Sequence, residues 1–187
     1  MDSNTLYYFF STVAQVLAAI CALVAVLSHF KINEIKTFLV GDGKAVYERM
    51  NNREQGHQLK DIHEHLKYLA RLRDSVGRNS ISGIKEVIEL LASLEVEPKK
   101  RGLKYLEERF NYRINQLNDI KLLTKKSIIF AFLVIAISLI SLVFVEQIKT
   151  MEYISSTIIS IVIILTFISI IYTIQGVYRG LENQDDE

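Results

Sequence analysis

Three stretches of the chain, Leu6 to Leu27, Ser127 to Val145 and Tyr153 to Thr173, contain no Lys, Arg, Asp or Glu. A bilayer core of ~30 Å needs ~20 apolar residues in a helix, and each stretch meets or nearly meets that length. A buried helix of a soluble protein can also be apolar all round. Three of them, each without a central charge, point instead to membrane crossings. Met1–Thr5 carries Asp2 and no Lys or Arg, and basic residues follow the first stretch rather than precede it. That is the reverse of a signal peptide, so a retained helix is expected. Tyr7, Tyr8, Phe9 and Phe10 suit the aromatic belt at the interface.

Charge is segregated accordingly. Residues 29–126 hold 20 of the 22 Lys and Arg, 14 of the 21 Asp and Glu, and all four His, which leaves this segment at +6. After Thr173 the tail sets Arg179 against Glu182, Asp185, Asp186 and Glu187. Lys31 and Lys36 follow the first stretch, Lys121, Lys125 and Lys126 precede the second, and Arg179 follows the third, whereas the connection from Glu146 to Glu152 has only Lys149. The positive-inside rule then predicts an external N-terminus (1–5), a first span (6–28), a cytoplasmic helical bundle (29–126), a second span (127–146), an external loop (147–152), a third span (153–174) and an acidic cytoplasmic tail (175–187). The expected class is an all-α integral membrane protein. The lone cysteine, Cys21, excludes an intrachain disulfide, and the single proline, Pro98, with few glycines favours helices.

No span carries an ionisable residue near its middle, which weighs against a pump or an ion-coupled transporter. The first span has a small face, Ala14, Ala18 and Ala22 with Ser11 and Ala25 alongside, and small residues let helix backbones approach closely in lipid. Gln15 lies next to this face and needs a hydrogen-bond partner. Three uses stand open: packing against the other spans, a seam between subunits, or a pore lining. The second span has a small face at Ser127, Ala131, Ser138 and Ser141. The hydroxyls of the third span, Ser155 to Thr173, split onto two sides of the helix, so many are expected to bond their own backbone one turn back.

Between the first two spans the apolar residues recur at helical spacing. Gly41-Asp42-Gly43 is expected to break the helix that leaves the first span. A helix over 44–76 would bury Leu59, Ile62, Leu66, Leu69, Leu72 and Val76. A turn at 77–83, with Ser82 as a cap, leads to a helix over 84–94 with Ile84, Val87, Ile88, Leu91 and Leu94 on one side. From Pro98 a last helix carries Leu103, Leu106, Phe110, Ile114, Leu117 and Ile120, and no breaker separates it from the second span.

No enzyme site emerges. His57, Asp61, His63, Glu64 and His65 form the densest polar constellation. On a helix His63 and His65 diverge, so His57, Asp61 and His65 are weak metal candidates and a polar face is favoured. Gly41-Asp42-Gly43-Lys44 lacks the Walker spacing and a following Ser or Thr. Neither Arg53 nor Arg49 stands at the spacing from His57 that helical-bundle nucleases use. Nothing calls for a cofactor. Lys31, Lys36, Lys121, Lys125 and Lys126 suit anionic lipid headgroups. Lys99, Lys100, Arg101 and Lys104 form a basic patch that fits a nucleotide or an acidic protein partner. With Tyr105 alone beside it, sequence-specific nucleic-acid binding is not indicated.

The run Tyr7-Tyr8-Phe9-Phe10-Ser11-Thr12-Val13-Ala14-Gln15-Val16-Leu17-Ala18-Ala19 resembles the opening of small uncharacterised bacterial multi-pass membrane proteins, over about a tenth of the chain. The plan of few spans plus a helical cytoplasmic module is similar to that of membrane effectors of bacterial antiphage defence. That resemblance implies a homo-oligomer in the bacterial inner membrane that permeabilises or depolarises it. The expected function is a channel or membrane-perturbing effector gated by its helical module. The rival expectation is a non-conducting scaffold that anchors a cytoplasmic partner.

Overall fold

The computed structural model describes residues 2–51, 62–93 and 100–181. They form six helices: α1 (Ser3–Asn51), α2 (Ile62–Gly77), α3 (Ile81–Ser93), α4 (Lys100–Val143), α5 (Val145–Thr150) and α6 (Glu152–Leu181), with no strand among the described residues. Three of them, α1, α4 and α6, are long and apolar enough to cross a membrane. The chain divides into two compact units, residues 1–31 with 118–187, and residues 32–117. The long helices α1 and α4 each contribute to both.

In the first unit, Leu6, Phe10 and Leu17 of α1 pack with Val134 of α4, Val145 of α5 and Val162 of α6 as one apolar cluster. The small face expected on α4 is buried throughout: Ser127, Ala131, Ser138 and Ser141 are all enclosed. On α6 the buried positions Ser155, Val162 and Ser169 recur every seventh residue, the repeat of a helix that meets its neighbours along a single seam. Several α6 hydroxyls bond the carbonyl one turn back, as expected: Thr157 to Tyr153, Ser160 to Ser156, Thr166 to Val162 and Thr173 to Ser169, at 2.7–3.0 Å.

The connection expected as a loop over 147–152 is built differently. α4 ends at Val143, Phe144 turns the chain, and the short helix α5 follows. Val145 and Ile148, three residues apart, share a face and are both buried. Apolar contact thus holds as a helix a segment too short to be helical alone.

The second unit contains the largest departure from the expected pattern. α1 does not break at Gly41-Asp42-Gly43 but continues to Asn51. Glycine weakens a helix by ~1 kcal/mol relative to alanine, and packing outweighs that cost here. Gly43 is buried under Ile84 of α3, whose side chain occupies the space a Cβ would need. The helix expected over 44–76 is therefore two pieces, the end of α1 and α2, with 52–61 outside the described residues.

The join between α2 and α3 follows from its residues. Asn79 takes a left-handed conformation, φ 53°. Its N–H reaches the carbonyl of Val76 at 3.1 Å, and the N–H of Ser80 reaches that of Ser75 at 2.8 Å. These two bonds are the Schellman closure of a helix C-terminus, with asparagine in the place glycine usually takes. Ser80 then caps α3, its Oγ accepting from the N–H of Gly83 at 3.3 Å. The cap is thus Ser80 rather than Ser82.

The buried side of α3 is the expected one, Ile84, Val87, Ile88 and Leu91. On α4, Leu106, Phe110, Leu117 and Ile120 are buried as the spacing predicts, whereas Ile114 is half-buried. On α2 the stripe is rotated. Leu72 is buried with His65 and Ser75, while Leu66 is exposed. Leu66 lines an open groove of about 480 Å³ with Tyr47, Leu69 and Arg73.

Candidate functional site

The densest charged contact in the second unit starts from the residue expected to lie in a break. Because α1 continues through position 42, Asp42 is carried inward and buried. Two guanidiniums from α4 meet its carboxylate. Arg113 Nη1 donates to Oδ2 at 2.7 Å, and Arg109 Nη2 donates to Oδ1. Arg109 and Arg113 stand one helical turn apart, so both reach the same partner. Arg113 is the enclosed member, 18% exposed, and lies over the ring of Phe38 with its guanidinium carbon 5.0 Å from the centroid. Arg109 is 38% exposed, and its Nε is buried without a hydrogen-bond partner.

One carboxylate between two guanidiniums leaves a surplus positive charge. Asp42 accepts from one nitrogen of each arginine, short of the paired fork-to-carboxylate contact that suits the guanidinium best. The arrangement offers no nucleophile and no acid–base pair. It can fix α1 against α4, and it can attract an anion.

In the first unit, the small-residue face divides. Ala14 is buried toward the apolar cluster, while Ala18, Ala22 and Ala25 are exposed and Ser11 is half-buried. Gln15 is exposed too, and its Nε2 reaches Ser11 Oγ on the same helix at 3.4 Å. The partner that the sequence required is thus supplied, weakly, from one turn back.

A second polar layer joins α4 to α6 and α1. Ser127 Oγ lies 2.7 Å from Thr173 Oγ1 and 3.3 Å from the carbonyl of Ser169, and Ser169 Oγ donates to the carbonyl of Ser127 at 3.1 Å. Ser28 Oγ and Thr124 Oγ1 are 2.8 Å apart. Lys126, exposed, holds its ammonium 5.4 Å from the centroid of Tyr172, which stacks on Phe130 at 5.7 Å. The lysine and its tyrosine thus lie at the same level as the hydroxyl bonds that join the helices.

The other expected site residues fall as follows. Lys121 and Lys125 are exposed and Lys31 is half-buried. Lys36 is exposed beside Asn33, Thr37, Ser80 and Ser82 in a groove of about 610 Å³. Lys104 is exposed, Lys100 and Arg101 open α4, and Lys99 lies outside the described residues. His57 and Asp61 also lie outside them. His65 is buried, with Nδ1 lacking a partner. Among the described residues no three His, Cys, Asp or Glu side chains converge as metal ligands would.

Sequence reasoning missed Asp42, Arg109 and Arg113. The available signal was Arg109 and Arg113 at i, i+4 on the same side as Phe110 and Leu117, a place where paired charges require a buried acid. No family model matches the chain, and neither a curated protein nor a solved structure is significantly similar to it.

Proposed function

We propose that this protein is a homo-oligomeric channel or membrane-perturbing effector of the bacterial inner membrane, controlled by the unit of residues 32–117. Its three apolar helices cross the bilayer with the N-terminus outside and the C-terminus inside. Residues 29–126 face the cytoplasm. The setting is the antiphage defence that the architectural resemblance implies.

The observation that carries this reading is Gln15. It is exposed on an apolar helix, and its amide reaches Ser11 Oγ only at 3.4 Å. An amide has two N–H donors and a carbonyl. In lipid, each group left unmet costs several kcal/mol by order of magnitude. Beside Gln15, the exposed Ala18, Ala22 and Ala25 let the backbone of a neighbouring helix come close. A ring of subunits joined along this face places Gln15 and Ser11 toward a shared axis. The rest of that axis is apolar, so it stays dewetted and closed at rest. α1 and α4 run unbroken out of the apolar segments, so a rearrangement of residues 32–117 has two continuous helices through which to open it.

The test pairs a membrane-potential dye in cells with ion flux from reconstituted vesicles. Gln15→Leu is expected to abolish depolarisation while leaving the particle mass in nanodiscs unchanged. Ala18→Ile is expected to reduce that mass. A folded wild-type oligomer that leaves both flux signals flat ends the channel reading. A monomeric wild type ends the assembly as well.

The second reading is a non-conducting anchored scaffold. The Asp42 ion cluster and the Gly43–Ile84 contact favour it, because they hold the second unit in one defined packing, as a docking module requires.

A further inference from the structure

The geometry points to a nucleotide-binding position on α4, with Arg109 taking the phosphate and Tyr105 and Tyr112 flanking the planar base. Asp42 balances one of its two arginines, and the one it can least do without is Arg113, which donates to it at 2.7 Å and lies over the Phe38 ring. Arg109 is the surplus cation. It is 38% exposed, so solvent and ligand reach it, and it binds Asp42 through one nitrogen while its Nε has no partner. A phosphate accepts two parallel N–H bonds from a guanidinium, which Asp42 shared between two arginines does not offer. If Arg109 turns to such an anion, Asp42 keeps Arg113. No buried carboxylate is stranded, and the surplus positive charge meets an anion.

The surroundings choose among anions. Tyr105 stands four residues before Arg109 and Tyr112 three residues after it, on the same face of α4, and both rings are exposed. Stacking on an aromatic ring is tolerant of base identity and adds to a phosphate contact. Lys104, exposed beside Tyr105, is offset by Glu108 one turn on, so Arg109 is the cation that the anion would meet. A cation with an exposed aromatic residue one turn before it and one turn after it on the helix fits a phosphate carried on a flat heterocycle better than a free anion. This inference deepens the proposed function by naming the chemical class of its trigger. Its readout is binding, so it stands or falls separately from conduction.

The experiment is calorimetric titration of the full-length protein in detergent with adenosine monophosphate, inorganic phosphate and chloride at equal ionic strength. Saturable binding is expected for the first two, tighter for the nucleotide. Arg109→Gln and Arg109→Lys are each expected to weaken nucleotide binding about tenfold or more, since charge-assisted forked bonds are lost. Tyr105→Leu, at an exposed ring, is expected to bring nucleotide affinity down toward that of phosphate without touching the phosphate site. Nucleotide heat no different from that of chloride overturns the site. So does unchanged affinity in Arg109→Gln with full helical ellipticity. Should that variant not fold, undiminished nucleotide affinity in Tyr105→Leu overturns it instead.

Discussion

Gly43 of α1 lies against Ile84 of α3 so closely that a Cβ at position 43 would stand 2.8 Å from Ile84 Cγ2. Real Cβ atoms do not come that near, and a β-branched side chain has little freedom to retreat. Gly43→Ala is therefore expected to destabilise the second unit by ~1–3 kcal/mol through overpacking, after which ~1 kcal/mol returns as helix propensity. Gly41 is the control, two residues away with open space around its missing Cβ. Gly41→Ala is expected to stabilise by ~0.5–1 kcal/mol. Thermal unfolding followed by circular dichroism in detergent reads both. A stabilised Gly43→Ala contradicts the contact.

The ion cluster makes an ordered prediction. Asp42→Asn leaves two arginines without their carboxylate. Breaking a buried pair costs ~3–5 kcal/mol, and the solvent around Arg109 moves this case toward the lower end. Arg113→Gln is expected to cost more than Arg109→Gln, because Arg113 is the less exposed and the one stacked on Phe38. A double-mutant cycle between positions 42 and 113 should show the larger coupling. Equal couplings for the two arginines refute that ranking.

At the turn between α2 and α3, Asn79 holds φ 53° and Ser80 caps the next helix. Asn79→Gly should be neutral or stabilising, while Asn79→Val should cost ~1–2 kcal/mol for the left-handed backbone. Ser80→Ala should cost ~1 kcal/mol, and Ser82→Ala should stay within about 0.5 kcal/mol. Amide exchange in the first turn of α3 reports the difference. If Ser82→Ala has the larger effect, the cap is misassigned.

Orientation is open to direct chemical labelling. In a Cys21→Ser background, Ser3→Cys and Thr150→Cys should react with an impermeant thiol reagent added outside intact cells. Lys60→Cys and Gln184→Cys should react only after the membrane is opened. External labelling at position 60 would reverse the proposed topology.

Helix identity was legible where apolar spacing alone decides it. Ile84, Val87, Ile88 and Leu91 could be placed on one side of α3 from their intervals, and the long uninterrupted run of α4 from the lack of any breaker after Gly102. Three features were not legible, each because a partner distant in sequence supplies the reason. Gly43 looks like a breaker until Ile84 is set against it. Asp42 looks like a turn residue until Arg109 and Arg113 arrive from α4. Ile148 looks like a loop residue until α5 is seen to bury it beside Val145. Ala14 and Ala18 share a stripe by spacing, yet one is buried and the other exposed, since the buried face of α1 is centred on Leu6, Phe10, Leu17 and Val24, with Ala14 at its side.

Asp42 finds its arginines 67 and 71 residues further along the chain, whereas α2 and α3 are joined by a three-residue turn. A ribosome delivers these parts in order. The α2–α3 hairpin closes a short loop and can form as soon as it emerges, at small entropic cost. Asp42, made earlier, must wait with its charge in water until the first half of α4 has been synthesised. Only then does the second unit become complete, and the chain that follows directly is the apolar half of the same helix. Maturation of the charged unit and delivery of the next hydrophobic segment are thus successive events on one nascent helix. A delay at Arg109 and Arg113 would be felt during synthesis, before any finished molecule exists to be switched.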